Sequence, residues 1–217
     1  MIKAIVFDFD GTIVPSSESL KRDLLDVMFP GMAEDVDDAY TTVMSTKGSR
    51  FDIIRIILKR RGIPDSEMEG QVDSYAEDYN THVQKAIKGA GVSKETRETL
   101  DTLRARYPIF INTGTPLPFI KQTLTTLGIL EWFTDIYEAF SAEEKADKLR
   151  TIAEKIKATP DQLFFVGDGK RDREAARQFG CHFVGIANVS NKWIPSMGGE
   201  YPIVDDLKDI IGIINRT

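Results

Sequence analysis

The chain of 217 residues is long enough for one large domain or two small ones, with a hydrophobic core that needs no disulfide or metal support. Its 28 Lys and Arg against 34 Asp and Glu give a net charge of −6, which argues against general binding to nucleic acids or anionic membranes. The single cysteine, Cys181, excludes an intrachain disulfide and a cysteine-based zinc site.

Strands and helices alternate along most of the chain. Segments rich in apolar and β-branched residues predict strands at residues 2–9, 108–112, 163–166, 182–186 and 203–204. Amphipathic segments predict helices at residues 94–106, 119–127, 145–157, 173–179 and 207–214. Such alternation is typical of an α/β fold, so we expect a three-layer, Rossmann-like core with a parallel sheet.

The connection between the first two predicted strands is unusually long. It covers about 100 residues, whereas a crossover between parallel strands needs only about a dozen. Helical patterns occupy most of it, at residues 18–28, 51–60 and 66–85, the last with one or two helices. We therefore predict a catalytic α/β core of residues 1–14 and 89–217. Residues 15–88 would form an inserted α-helical cap at the carboxyl end of the first strand, where open α/β sheets bind ligands.

The start of the chain and its hydropathy bear on location. The first apolar segment reaches Asp8 too early for a secretory signal peptide, and no apolar run approaches the roughly 20 residues that span a bilayer. We therefore expect a cytoplasmic protein without a membrane partner. We also expect it to act as a monomer or a homodimer.

Two acidic residues follow the first predicted strand, in the segment Asp8-Phe9-Asp10-Gly11-Thr12. In an extended chain, residues i and i+2 point the same way, so the two carboxylates are expected to converge where the strand leaves the sheet. Gly11 permits a tight turn there. Because two carboxylates in one crevice repel each other, a hard dication such as Mg²⁺ is the expected partner.

Three further segments carry candidate site residues. Asp168 and Asp172 follow another strand and supply a second acidic pair, although Asp172 alone could be a helix N-cap. Thr113-Gly114-Thr115 also follows a strand, and its hydroxyls and amides can bind phosphate oxygens, although a capped turn would use the same residues. Lys145 begins a predicted helix, where a lone lysine is usually solvated, and Lys148 competes for the same role.

Together these motifs resemble the haloacid dehalogenase superfamily in its phosphatase form, close to the phosphoglycolate phosphatases and β-phosphoglucomutases with a helical cap after the first strand. The Asp-x-Asp-Gly-Thr segment at Asp8, Thr113 after its apolar strand, Lys145, and the Gly-Asp-x-x-x-Asp pattern of Asp168 and Asp172 resemble the four motifs of that family, in order. The resemblance covers essentially the whole chain. It departs at the third motif, where the family often has Lys-Pro and this chain has Lys-Ala.

The resemblance implies a covalent mechanism for phosphate-ester chemistry. Asp8 would attack the phosphorus and form an aspartyl-phosphate, while Asp10 would protonate the leaving oxygen and then activate water. Mg²⁺ would be held by Asp8, Asp10 and Asp168, with Asp172 in support, and Asp10 would use its backbone carbonyl. Asp10 also favours phosphate esters over the carbon–halogen and phosphonate branches of the family, which differ at that position.

The resemblance also assigns the residues that hold the substrate. Thr113 and Lys145 would bind the transferred phosphoryl oxygens as catalytic residues. The wider substrate-binding set would be Thr12, Gly114, Thr115, Arg50 and Lys47. Residues 46–51 resemble the β-phosphoglucomutase caps, in which the arginine reaches the distal end of the substrate, although they could equally be an exposed loop at a helix start.

Several functions stay open at this point. Hydrolysis of a small phosphorylated metabolite is favoured, and a sugar-phosphate mutase is the second candidate because of residues 46–51. A phospho-acceptor signalling module also uses Asp, Thr, Lys and Mg²⁺, but it has no counterpart to the long insertion. A non-catalytic regulatory protein would not need the complete set of catalytic side chains.

Overall fold

A computed structural model describes residues 1–44 and 48–217, which form two compact units. One unit consists of Met1–Glu18 and Ala90–Thr217 and contains the sheet. The other consists of Ser19–Gly89 and is helical in its described parts. The boundaries predicted from the sequence, after residues 14 and 88, lie four residues and one residue before these divisions.

The elements follow one another along the chain with strands and helices in alternation after the helical unit. The strands are β1 (Ala4–Phe7), β2 (Ile109–Thr113), β3 (Asp135–Glu138), β4 (Leu163–Gly167), β5 (His182–Ile186) and β6 (Ile203–Val204). The helices are α1 (Ser17–Met28), α2 (Ala33–Met44), α3 (Arg50–Arg60), α4 (Asp65–Ala90), α5 (Lys94–Arg104), α6 (Leu117–Thr126), α7 (Ala142–Ile156), α8 (Lys170–Phe179) and α9 (Asp209–Ile214).

The strands pair in the order β3-β2-β1-β4-β5-β6, and every pair is parallel. This is the doubly wound order of Rossmann-like sheets, which confirms the predicted α/β fold. β1, β2 and β4 are buried along their whole length, as near-continuous apolar strands between two helical layers should be. On one face, Val6 and Phe165 pack in a cluster with Leu149 of α7 and Ala176 of α8.

The strand order reverses beside β1, which has β2 on one side and β4 on the other. Phe7, the last residue of β1, lies opposite Ile111 and Val166. The loops that leave β1, β2 and β4 therefore start side by side at one edge of the sheet. In open α/β sheets this switch point is where ligands bind.

The sequence patterns did not predict β3 and α2. β3 is a short edge strand in which only Ile136 is buried, so its apolar signal is weak. α2 is rich in acidic residues, and its buried side consists of small or β-branched residues such as Val36, Ala39 and Val43. Both elements are positioned by tertiary packing rather than by a strong local pattern.

The helical unit contains one long helix where the sequence allowed two. α4 runs through 26 residues because its buried residues form an unbroken stripe of helical spacing, which is Met68, Val72, Ala76, Tyr79, Val83 and Ile87. Phe29 and Tyr75 stack within this unit, with ring centroids 4.9 Å apart. In the part of the chain that the structure describes, no helix combines the length and the hydropathy needed to cross a membrane.

Candidate active site

The loop after β1 is folded by its own backbone. The strand predicted to continue to residue 9 ends at Phe7, because the carbonyl oxygen of Phe9 accepts hydrogen bonds from the N–H groups of Thr12 and Ile13 at 3.3 and 2.9 Å. Asp8 and Asp10 flank Phe9, and each is only 6% exposed. The turn thus buries two carboxylates at the edge of the sheet.

Gly11 brings the loop after β1 against the loop after β4. Its φ is +74°, in the left-handed region, and an added Cβ would lie 2.1 Å from Oδ2 of Asp168. No residue with a side chain fits at this position without displacing that carboxylate. Gly11 therefore sets how closely the two acidic loops can approach.

Lys145 enters this site from α7. The sequence placed the start of this helix at Lys145, but the helix begins at Ala142, because the hydroxyl of Ser141 caps it by accepting from the N–H of Glu144 at 3.1 Å. Lys145 therefore lies one turn inside the helix and is 4% exposed. Its Nζ donates to Oδ1 of Asp8 at 2.9 Å and to Oδ1 of Asp172 at 2.5 Å.

Asp172 serves both the helix and the site. The sequence allowed Asp172 as an N-cap, but the N-cap of α8 is Gly169. Asp172 lies in the first turn of the helix, and its Oδ2 accepts from the N–H of Gly169 at 2.9 Å. Its other oxygen accepts from Lys145. An added Cβ at Gly167 would lie 2.6 Å from Cβ of Asp172, so that glycine lets α8 start close to β4.

Three carboxylates gather around Lys145. One oxygen from each of Asp8, Asp168 and Asp172 lies within 4.8 Å of the others, and all three residues are buried. The carboxylate of Asp10 is not part of this group. Lys145 is the one buried basic side chain among the residues that the structure describes, so three carboxyl groups share a single buried cation.

The buried charges shift the titration of the cluster. Burial raises the pKa of Asp8 to about 7, against the lowering effect of Lys145 and with a further rise from Asp172 and Asp10. Burial also raises the pKa of Asp168 to about 9, and Asp8 and Asp172 add to that rise. Burial alone would lower the pKa of Lys145, but Asp172 and Asp8 hold it above its usual value. Such raised pKa values mean that a second cation among these oxygens would be stabilising, and a hard dication such as Mg²⁺ takes oxygen ligands of this kind.

The loop after β2 holds the carboxylate of Asp10 through a hydrogen bond. Thr115 donates its hydroxyl proton to Oδ2 of Asp10 at 2.6 Å, and its own N–H donates to Oγ1 of Thr113 at 3.1 Å. Thr113 is fully buried, while Gly114 is exposed. The hydroxyl of Thr12 is buried without a hydrogen-bond partner among the described residues. The structure thus places all of these predicted residues at the same edge of the sheet as the carboxylates.

The remaining predicted residues belong to the helical unit, lie further along α7 or fall outside the described part of the chain. Arg50 is the first residue of α3 in the helical unit, where it is half-buried with its guanidinium carbon 5.0 Å from the ring centroid of Phe51. Burial lowers the pKa of Arg50. Lys47 lies among residues 45–47, outside the described residues. Lys148 is half-buried further along α7 and is not among the residues that contact the carboxylates.

Sequence reasoning missed Asn188. This side chain follows β5 and donates from Nδ2 to Oδ2 of Asp168 at 2.6 Å and to the carbonyl oxygen of Gly11 at 3.0 Å. The available signal was its position, since a polar residue two positions after the end of a parallel strand lies at the edge where the other strands carry their acidic loops.

Comparisons of the sequence and the fold with known proteins give a family match and several relatives. Residues 5–186 match the family described as haloacid dehalogenase-like hydrolase. A protein of Vibrio vulnificus (strain YJ016) named phosphoglycolate phosphatase is 28% identical over an alignment of 227 residues. The alignment covers 98% of this chain and 96% of the relative. A solved structure of a predicted phosphoglycolate phosphatase from Haemophilus somnus 129pt has a TM-score of 0.70 at 21% identity, over 98% of each chain. The magnesium-bound HAD-hydrolase YfnB from Bacillus subtilis has a TM-score of 0.71 at 15% identity, over 99% of each chain.

Proposed function

Since the chain belongs to the haloacid dehalogenase-like hydrolase family, as its four motifs predict, and is a phosphatase of that family, we propose that it hydrolyses a small phosphomonoester with Mg²⁺ through an aspartyl-phosphate on Asp8. The name of the Vibrio relative makes phosphoglycolate the first substrate to test. Oligomeric state, as monomer or homodimer, and cytoplasmic location stay predictions.

One observation carries the proposal: Asp8, Asp168 and Asp172 form a buried group around Lys145, with Asp10 next to it in the same loop as Asp8. Phosphoryl transfer needs little beyond a positioned nucleophile, an acid–base group and neutralisation of negative charge. The cluster offers a candidate for each. A phospho-acceptor signalling module or a non-catalytic protein would not need an acid–base group such as Asp10, which a hydroxyl donor holds in place.

In the first step, an oxygen of Asp8 bonds to phosphorus as the bond from phosphorus to the ester oxygen breaks. Asp10 gives its proton to that leaving oxygen. Thr115, whose hydroxyl is 2.6 Å from Asp10, keeps the acid in place. The ammonium group of Lys145, which already contacts Asp8, and the hydroxyl of Thr113 hold the phosphoryl oxygens.

In the second step, Asp10 takes a proton from water as the water oxygen attacks phosphorus. The bond from phosphorus to Asp8 breaks, inorganic phosphate leaves, and the carboxylate of Asp8 is restored. Asp8, Asp168 and the backbone carbonyl of Asp10 would hold Mg²⁺, with Asp172 in support. When bound, Mg²⁺ supplies positive charge that neutralises the phosphoryl oxygens.

Phosphate release from a panel of phosphorylated metabolites tests the proposal, with phosphoglycolate and p-nitrophenyl phosphate in the panel. We expect release with Mg²⁺ and none after full chelation with EDTA. A chelated protein that keeps its rate would contradict the metal dependence. A mutase, the second candidate because of residues 46–51, would instead yield an isomeric sugar phosphate with little free phosphate.

Lys145→Ala should lower kcat/KM by roughly 10²–10³-fold, the usual cost of removing one charge-stabilising donor. It should also lower the free energy of unfolding by about 3–5 kcal/mol, because the carboxylates of Asp8 and Asp172 lose their buried cation. Lys148→Ala is the matched control, three residues along the same helix and half-buried, and should leave both quantities near wild type. Steady-state kinetics and urea unfolding of the two variants check the difference, and equal losses would remove Lys145 from the site.

The raised pKa values of Asp8 and Asp168 predict how stability depends on pH. Both groups keep their protons in the folded, metal-free chain up to about pH 7 and about pH 9, whereas the unfolded chain releases them near the ordinary pKa of 3.8. The folded state therefore binds more protons, and these groups lower the stability of the metal-free protein as the pH rises through this window.

Mg²⁺ should reverse that effect, because it replaces the protons on the same carboxylates. We expect the increase in Tm on adding Mg²⁺ to be larger at about pH 8 than at about pH 6. Thermal unfolding at both values, with EDTA as the reference, measures it. A Tm increase that is equal or smaller at the higher pH would show that the cation does not bind these carboxylates.

A further inference from the structure

The loop that follows β5 reaches the acidic cluster through one side chain. Asn188 is half-buried, and its Nδ2 donates to Oδ2 of Asp168 at 2.6 Å and to the carbonyl oxygen of Gly11 at 3.0 Å. Both protons of the amide are therefore used, one on the loop after β4 and one on the loop after β1. Asn188 joins the two segments that carry the proposed cation ligands.

The other end of the Asn188 amide is built into its own loop. Oδ1 accepts from the N–H groups of Ser190 and Asn191 at 2.9 and 3.0 Å, and the N–H of Asn188 donates to Oδ1 of Asn191 at 3.1 Å. The side chain thus has a partner for each of its donors and acceptors. Such full use of the amide fixes its orientation, with Nδ2 and not Oδ1 toward Asp168.

Asn191 also holds the loop after β4, through contacts with main-chain carbonyl oxygens. Its Nδ2 donates to the carbonyl oxygens of Asp168 and Ile186 at 2.9 and 2.7 Å, and its Oδ1 accepts from the N–H of Trp193 at 3.0 Å. The loop after β4 is therefore held at the main chain by Asn191 and at the carboxylate by Asn188. The carboxylate contact is the only one of these that bears directly on a candidate cation ligand.

From these contacts we propose that Asn188 is a positioning residue for Mg²⁺, which fixes the carboxylate of Asp168 by holding Oδ2 and so presents the group to the cation. The inference rests on the proposed function, because it assumes that Asp168 is a cation ligand. A neutral amide suits this task, since it donates to the carboxylate without adding a charge that competes with the cation. Partners that orient a metal ligand in this way typically contribute about 10- to 100-fold to metal affinity.

The test compares Asn188→Ser with Ser190→Ala. The serine hydroxyl can still accept from the loop N–H groups but is too short to reach Asp168, so the variant removes the carboxylate contact and keeps an acceptor for the loop. Ser190 is exposed and uses only its backbone N–H here, which makes Ser190→Ala the matched control. Mg²⁺ binding to each purified, substrate-free chain is measured by titration calorimetry, and the rate with p-nitrophenyl phosphate is measured across Mg²⁺ concentrations.

We expect Asn188→Ser to raise the Kd for Mg²⁺, and the Mg²⁺ concentration that gives half of the maximal rate, by about 10- to 100-fold, while KM for p-nitrophenyl phosphate stays near wild type. Ser190→Ala should match wild type in all three. A purely structural role for Asn188 would instead lower the Tm of the metal-free chain and leave the Kd unchanged, and that result overturns the inference. If the wild type neither binds Mg²⁺ nor releases phosphate, the proposed function fails and the inference fails with it.

Discussion

Asp8→Asn will abolish phosphate release, with a loss of at least about 10⁴-fold in kcat, as expected when the nucleophile of a covalent mechanism is removed. The substitution keeps the shape of the side chain and an acceptor for Lys145, which lies 2.9 Å from Oδ1 of Asp8. It removes a buried negative charge that Asp172 and Asp10 already disfavour. The metal-free variant should therefore unfold at a Tm no lower than wild type.

Kinetics with p-nitrophenyl phosphate and a thermal melt of the same preparation measure the two quantities together. Asp147→Asn is a suitable control, since Asp147 is an exposed residue of α7 outside the site. A folded Asp8→Asn protein that keeps a substantial rate would place the nucleophile elsewhere. Loss of both activity and fold would show that the charge of Asp8 is needed for structure.

Gly11→Ala will reduce kcat/KM by at least about 10²-fold, because a misplacement of catalytic groups by about 1 Å has effects of that size. The added Cβ would lie 2.1 Å from Oδ2 of Asp168 and 2.9 Å from Nδ2 of Asn188, so the carboxylate or the whole turn must move. The φ of +74° adds backbone strain, which by itself is a cost to stability of about 1–2 kcal/mol.

The chain offers a control that separates strain from displacement. Gly128 has a φ of +68°, and an added Cβ there would meet no atom within 4 Å. Gly128→Ala should therefore show the loss of stability alone, with kcat/KM near wild type. If Gly11→Ala is as active as Gly128→Ala, the close approach of the two acidic loops does not matter for catalysis.

The core of the fold could be predicted from the sequence because its strands carry a strong local signal. β1, β2 and β4 are apolar and buried along their length, and each is followed by polar residues at the carboxyl end. The parallel arrangement then brings those residues to one edge without any knowledge of long-range contacts. By this reasoning the sequence predicted that the loops after β1, β2 and β4, which carry acidic or hydroxyl side chains, lie close together.

The sequence was less informative where packing or a cap decides the local structure. β3 has a single buried residue, Ile136, and no periodic pattern can distinguish such an edge strand from a loop. Helix α7 starts at Ala142 because the hydroxyl of Ser141 caps it, whereas local sequence patterns placed the start of the helix too late. Lys145 therefore lies one turn inside α7 rather than at its first residue, and it is buried there.

Asn188 shows the limit of motif reasoning most clearly. Its role depends on two contacts, with Asp168 and Gly11, that are 20 and 177 residues away in the chain. No spacing rule links these three positions. Only the three-dimensional arrangement of the loops after β1, β4 and β5 brings them together.

The covalent intermediate on Asp8 is the central claim, and Asp10→Asn gives the most direct measurement of it. This variant lacks the base for the attack by water, while p-nitrophenyl phosphate has a leaving group that needs little help from an acid. Mixing the variant with this substrate and Mg²⁺, followed by an acid quench and peptide mass analysis, should show a burst of about one nitrophenol per chain and one phosphoryl group on the peptide that contains Asp8. A wild-type enzyme that turns over while the variant shows no burst, or a phosphoryl group on another residue, would contradict the account.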